Sequence, residues 1–330
     1  MFEAGVAFPV AALLALASSF VMVSRLERVA GRLRLSEAML GLAVALAADS
    51  PEITSSVTAS AHGQSVIGIG VVLGSNVFNL AALLGLATVV AGRIGLHRKV
   101  VIFEGVTAFW IAITTLAVIA AGWSAGAGAA LVLVAVAFYV LVLTSSSGAL
   151  VRIGFSQRVA QWLSTAAGEE ELELAVAIRA EPAGRFDAAL LAASLAMVVA
   201  ASAVMERSAE VLGRHLHVSR FVIGSVVLAA VTSLPNAVGA VFLASRGRGA
   251  AVLSEAMNSN MLNVIVGLFL PGIFLGLGQT GGDGTLVAGW YVGLTLLTLL
   301  IAFAGRGLDR KSGWVIVIAY GAFVVVGFTA

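Results

Sequence analysis

In LAVALAADSPEITSSVTAS, residues 42–60, seven apolar residues run straight into Asp49, Ser50, Pro51 and Glu52. Two carboxylates and a helix breaker thus interrupt what hydropathy reads as one buried span. The whole chain says what kind of burial this is. Of its 330 residues 60% are hydrophobic and only 11% are charged, against about 25% charged in a soluble domain. Mean hydropathy is +1.06. Apolar runs near the length that crosses a bilayer core as helix recur along the chain. The composition describes a polytopic, all-α membrane protein, with the lipid bilayer as its first partner.

Ten spans are read at about 5–24, 38–61, 66–92, 100–121, 127–146, 186–205, 220–244, 250–274, 285–304 and 313–329. The start, MFEAGVAFPVAALLALASSFVMV, lacks a positive n-region and is read as a retained first span. Loops after odd-numbered spans hold Arg25, Arg28, Arg32, Arg34, Arg93, Arg98, Lys99, Arg152, Arg158, Arg179, Arg185, Arg246, Arg248, Arg306, Arg310 and Lys311, which is 16 of the 19 basic residues. Loops after even-numbered spans hold Arg207, Arg214 and Arg220. Positive charge marks the cytoplasmic side, so a multi-pass cell-membrane protein with both termini outside is expected. The same placement accounts for a pI near 9.4 without a nucleic-acid partner. There is no cysteine, which removes disulfides and thiolate metal sites.

A repeat divides the chain. Shifted by 184 positions, Pro51 falls on Pro235, Gly63 on Gly247, Ser75 on Ser259, Asn76 on Asn260 and Asn79 on Asn263. The copies read ADSPE then GSNVFN, and VTSLPN then NSNMLN. Residues 1–146 and 186–330 each hold five spans, with 147–185 as a cytoplasmic linker carrying some amphipathic helix. Five is odd, so the second set crosses the membrane in the opposite sense, an arrangement that puts a substrate site at mid-membrane between discontinuous helices. Proline within a span removes a donor and breaks the helix. The carbonyls so freed survive in hydrocarbon only where they line protein or a cavity, and they are hard oxygen ligands suited to Na⁺ or Ca²⁺. A membrane-embedded carboxylate beside them, Glu52, marks a candidate site.

These residues resemble the cation/Ca²⁺ exchanger superfamily, which includes the sodium/calcium exchangers. Its repeats read roughly G-x(7)-TSLPE followed by GNxxGSNxxN. Here the first repeat, within 36–92, gives GLAVALAADSPE and GIGVVLGSNVFN; the second, within 219–274, gives GSVVLAAVTSLPN and LSEAMNSNMLN. The lead-in LERVAGRLRLSE (26–37) is similar as well. The resemblance implies a ten-helix fold of two inverted five-helix repeats. It also implies antiport of Ca²⁺ against Na⁺ or H⁺, with two helices sliding over an eight-helix core, and no cofactor beyond the transported ions. Carried over by position, the cation ligands are Glu52, Ser75, Asn79, Thr232, Ser233, Asn236, Ser259 and Asn263. Asp49 and Ser50, beside Pro51, complete the candidate metal set.

The chain departs from that pattern in its charges. Asn236 stands where the second repeat has glutamate, Asn263 where some exchangers have aspartate, Asp49 where the pattern has Thr or Ser, Glu255 where it has Asn, and Asn258 where it has Gly. The first repeat is also one residue short between Gly41 and Pro51. Three readings stay open. Asp49 and Glu52 together supply the charge from the first half, and like charges so close in low dielectric favour a proton on one unless a cation is present. Alternatively Asp49 replaces a hydroxyl ligand and Glu255 supplies the second charge, or the site favours a monovalent ion. Rival functions are a small-solute exporter of inverted-repeat type, a channel on the same fold, and an intramembrane enzyme; for the last, no Ser–His pair, HExxH or paired-aspartate motif is found. Glu104 reads as an interfacial partner of Arg98 and Lys99, His215 and His217 as solvated, and GIGVVLG as a close-packing helix face.

Overall fold

The computed structural model describes residues 2–32, 45–177, 184, 186–278 and 281–329. Helix α1 is Phe2–Arg32. After a helical turn at 45–48 come α2, Ser50–Ala61, and α3, Ser65–Ala91, whose Leu80–Leu86 stretch is π-helical. Then follow β1 (Arg93–Gly95), α4 (Arg98–Ala121), α5 (Ala125–Thr144), the short α6 (Ser147–Arg152) and α7 (Gln157–Ala177). Next come α8 (Asp187–Leu216), α9 (Arg220–Thr232), α10 (Leu234–Ser245) and α11 (Gly249–Leu275), the last with a π stretch at Asn263–Phe269. The chain closes with α12 (Gly281–Gly305), β2 (Gly307–Asp309) and α13 (Arg310–Thr329).

Among the described residues eight helices are long and apolar enough to cross a bilayer. The pair α9 and α10, bent by 47° at its break, brings the number to nine when it is counted as one span. Of the expected span 38–61, residues 38–44 lie outside the described residues, as do Arg34, Arg179, Arg185 and the lead-in beyond Arg32. The expected span 186–205 extends well past its apolar part, to Leu216. Its added turns carry Glu206 and Glu210, and Glu210 is met by Gln64 Nε2 at 2.6 Å.

Small residues decide how the centre packs. In α3, Gly70 and Gly74 face Gly224 and Ser225 of α9, and a Cβ on Gly74 would overlap the Ser225 carbonyl. Without a side chain in the way, the two backbones touch, as expected for helices that associate by close packing rather than by a hydrophobic drive. Ser56 of α2 reaches the carbonyls of Gly68 (2.9 Å) and Gly267 (2.7 Å), drawing α2 onto α3 and α11. α1 packs along α8, and its end is held by an Arg25–Asp187 ion pair at 3.0 Å. β1 and β2 pair antiparallel, with Ile94 opposite Leu308.

The described part of the 147–185 linker is docked on the helices around it. Leu150, Ala160, Leu163, Ala166 and Ala167 are buried against Phe103 of α4 and Tyr139 and Val142 of α5, an apolar stripe too large to leave in water. Glu104 is buried, not interfacial: it accepts a 2.8 Å bond from Tyr139 Oη, while Arg98 stacks on Phe303. His215 and His217 are exposed, as read.

Candidate cation-binding site

Two interrupted helices face each other at the centre. In α2, Pro51 occupies the first turn, where its missing N–H costs nothing. Asp49 sits at the bend just before it, with φ −78° and ψ −3°. Pro235 and Ser233 take the same places at the start of α10, with φ −85° and ψ 1° at Ser233. The chain runs on through both bends: Asp49 N bonds Ala45 O (2.8 Å) and Ser233 N bonds Ala229 O (3.1 Å). Each proline withholds the donor that the carbonyl four residues earlier, on Ala47 and Val231, would receive in an unbroken helix.

The carboxylates meet the second break directly. Ser233 Oγ donates to Glu52 Oε1 at 2.5 Å. Asn236 Nδ2 donates to Asp49 Oδ1 at 2.7 Å and lies 3.4 Å from Glu52 Oε1. Ser259 Oγ, from α11, donates to Asp49 Oδ1 at 2.5 Å and accepts from Asn79 Nδ2 of α3 at 2.9 Å. Asp49, Glu52, Ser233 and Asn79 have no solvent exposure. Neither carboxylate has an ion pair among the described residues. Two carboxylates that close, buried without a cationic partner, are costly to keep ionised.

A second layer of amides ties α3 to α11. Asn76 Nδ2 bonds Asn260 O at 3.3 Å, and Asn260 Nδ2 returns to Asn76 O at 3.2 Å. Asn79 Nδ2 bonds Asn260 Oδ1 at 3.2 Å, and Asn263 Nδ2 bonds Asn76 Oδ1 at 3.3 Å. Every bond has a counterpart displaced by 184 positions, so the two segments relate to each other by a local two-fold. The π turns begin at this layer, directly after Asn79 and at Asn263; such widened turns are frequent at functional positions.

The donors leave a definite remainder. Asp49 Oδ2, Glu52 Oε2, Ser75 Oγ, Asn79 Oδ1, Asn236 Oδ1 and Asn263 Oδ1 are buried and have no hydrogen-bond partner among the described residues. Each carboxylate turns one oxygen to donors and keeps the other free. All six are hard oxygens, the type a dehydrated alkali or alkaline-earth cation takes, in the number that Ca²⁺ needs at minimum.

Of the residues expected at the site, Asp49, Glu52, Asn79, Ser233, Asn236 and Ser259 form one connected cluster, and Asn263 joins it through Asn76. Ser75 lies in the same layer of α3, fully buried. Ser50 is buried with its hydroxyl unpaired, and no contact ties it to the cluster. Thr232 turns its hydroxyl back to Leu228 O at 2.9 Å and is occupied within its own helix. Asn76 and Asn260 were not expected as site residues, although both stand in the repeat alignment. Thr232 and both prolines also line a narrow gap with Ala12, Ala15 and Leu16 of α1 and Met205 of α8, so the first helix of each half lies against the breaks.

A family profile described as "Sodium/calcium exchanger protein" matches residues 4–180 and 186–329. The chain belongs to that family. Sodium/calcium exchanger MaX1 of Methanosarcina acetivorans is 31% identical over 142 residues, which is 42% of this chain and 39% of that exchanger, so the match spans less than half of either protein. The putative antiporter CaxA of Alkalimonas amylolytica is 25% identical over 305 residues, 88% of each chain. Among solved structures, an H⁺/Ca²⁺ exchanger, CAX, superposes with a TM-score of 0.70 at 12% identity, covering 99% of this chain and 82% of that one; at that identity the likeness is one of fold. This member of the exchanger family is thus a mostly helical integral membrane protein with multiple spans.

Proposed function

We propose that the protein is a secondary active antiporter carrying Ca²⁺, or another divalent cation, in exchange for Na⁺ or H⁺ by alternating access. The observation behind this reading is the set of six donor-free buried oxygens, two of them carboxylate, gathered where two interrupted helices meet. Asp49 and Glu52 carry two negative charges, which one divalent cation offsets. In a low-dielectric centre the same pair cannot stay uncompensated at small cost, so release of the divalent ion is coupled to entry of monovalent cations or protons. That requirement turns a binding site into an exchanger: the bare, doubly charged site is the state least able to reorient.

The architecture that goes with this reading is ten crossings in two inverted five-helix repeats, residues 1–146 and 186–330, joined through 147–185. Its support is the element register: Ser50–Ala61 and Leu234–Ser245 stand 184 positions apart at both ends. The basic residues of alternate loops favour both termini outside. Asp49, Ser50, Glu52, Ser75, Asn79, Ser233, Asn236, Ser259 and Asn263 are the proposed ion-contacting residues, with Thr232 contributing through its position at the break. The named activities of the relatives, sodium/calcium and H⁺/Ca²⁺ exchange, support the antiporter reading. A second reading, exchange of monovalent cations or protons alone, draws on Asn236 and Asn263, amides where a more acidic site would carry charge.

The test is flux in proteoliposomes. With an imposed Na⁺ or H⁺ gradient, the native protein should drive saturable, counter-ion-dependent ⁴⁵Ca²⁺ uptake, and Glu52→Gln should abolish it. Native vesicles that move Na⁺ or H⁺ but no divalent cation would establish the second reading instead.

A further inference from the structure

One carboxylate near the site lies outside the hydrogen-bonded cluster and has no acidic counterpart in the first repeat. Glu255 lies on α11 one helical turn before Ser259, on the same face. Its Oε1 reaches Gly239 of α10, approaching to 3.0 Å the point where a Cβ would stand. Gly239 in turn lies three residues beyond Asn236. Two helices therefore independently put the Glu255 carboxylate one turn below the Asp49–Asn236–Ser259 cluster, toward the end of the molecule that carries Arg246 and Arg248. Its Oε2 is buried and has no hydrogen-bond partner among the described residues, while the residue as a whole keeps partial exposure.

The repeat shows that this is a built feature. Displaced by 184 positions, Glu255 corresponds to Val71 and Gly239 to Ser55. Where one half has a valine beside a serine, the other has a glutamate beside a glycine, so volume removed from α10 makes room for the carboxylate on α11. A carboxylate present for packing alone would need its free oxygen satisfied.

We infer that Glu255 forms a separate monovalent-cation position, one turn from the divalent position, that receives Na⁺ from the side bearing Arg246 and Arg248. The charge balance favours a monovalent ion there: Asp49 and Glu52 offset one divalent cation, and Glu255 adds a single further charge. The inference rests on the antiporter reading and extends it by making the two ends of the α3–α11 pair unequal, because the position equivalent to Glu255 in the first half is Val71.

The experiment compares native protein with Glu255→Gln and Gly239→Ser in vesicles of known orientation, varying Na⁺ separately on each face while following ⁴⁵Ca²⁺. Equilibrium ⁴⁵Ca²⁺ binding reports whether each variant is folded. Both variants should raise the half-saturating Na⁺ concentration on the Arg246/Arg248 side by roughly tenfold, the order of one lost charge-assisted contact. They should leave the other side and Ca²⁺ binding within twofold. Glu255→Asp should restore part of the loss. Equal shifts on both sides, no shift in either variant, or Ca²⁺ transport in native vesicles that ignores Na⁺ on both sides would each overturn the inference. The last leaves the antiporter reading standing, whereas absence of transport in native protein, or its survival in Glu52→Gln, removes that reading itself.

Discussion

Replacing Asn236 by Asp tests the charge logic of the site most directly. The Asn236 amide is the donor that meets Asp49 at 2.7 Å and stands 3.4 Å from Glu52. Aspartate removes this donor and adds a third negative charge at nearly the same place. Losing a hydrogen bond to a charged group costs about 1.5–3 kcal/mol. Repulsion from Asp49 adds about 6 kcal/mol at 2.7 Å if the effective dielectric is about 20. Protonation limits that sum, because neutralising a carboxyl of ordinary pKa at pH 7 costs about 4 kcal/mol. A destabilisation of about 2–4 kcal/mol in the absence of divalent cations follows once relaxation is allowed for. At about 2–3 °C per kcal/mol for a chain of this size, the midpoint should fall by about 5–10 °C. Calcium should reverse the loss, since a third carboxylate strengthens binding and each tenfold gain in affinity returns about 1.4 kcal/mol at saturating ligand. The assay is thermal unfolding of the detergent-solubilised protein with chelator and with Ca²⁺. A variant that melts within about 1 °C of native protein in chelator, with the same calcium shift, would refute the view that these three side chains share one uncompensated pocket.

Two further outcomes concern the scaffold. Gly74→Val should prevent the α3–α9 contact, since its Cβ would fall on the Ser225 carbonyl backbone; loss of monodisperse protein on size exclusion is expected, and a well-behaved, fully active variant would contradict the packing. At the start of α13, Asp309 Oδ1 accepts from Ser312 N (2.8 Å) and Ser312 Oγ (2.6 Å), and these bonds hold its carboxyl below the usual carboxylate range. A lowered folded value means that this contribution is fully present above the unfolded pKa and is lost as pH falls through the folded one. Asp309→Asn should therefore lower the midpoint at neutral pH and flatten its fall below about pH 4; an unchanged acid limb would count against it.

Much of the centre was legible because two copies of one pattern stand 184 residues apart. Pro51 and Pro235 located both breaks, and the polar identities following them located α3 and α11. Glu52, Asn79, Asn236 and Ser259 come from the resemblance to the exchanger repeats, and Asp49 from its place beside Pro51 and Glu52. Other features depend on contacts that spacing does not encode. Thr232 aligned well with a ligand position, yet its hydroxyl finds the Leu228 carbonyl one turn back, which any mid-helix threonine can do. Glu104 reads from its basic neighbours in sequence as an interfacial residue, whereas it is buried and accepts a bond from Tyr139, 35 residues away. Hydropathy ended α8 too early because Glu210 is polar, but Gln64 and Arg220 meet it there. The π turns after Asn79 and at Asn263 carry no local composition that separates them from ordinary helix.

The small β1–β2 ribbon has a mechanical consequence. Its two strands join α3 to α4 and α12 to α13, and the first residue of α11, Gly249, lies against the Gly95 carbonyl. Four helix ends are thereby tied together at a single face of the molecule by main-chain bonds, each costing about 1 kcal/mol to break, and the start of α11 packs against them. These helix ends travel as one body wherever the ribbon holds them, so movement at this face falls to the helices that the ribbon does not tie.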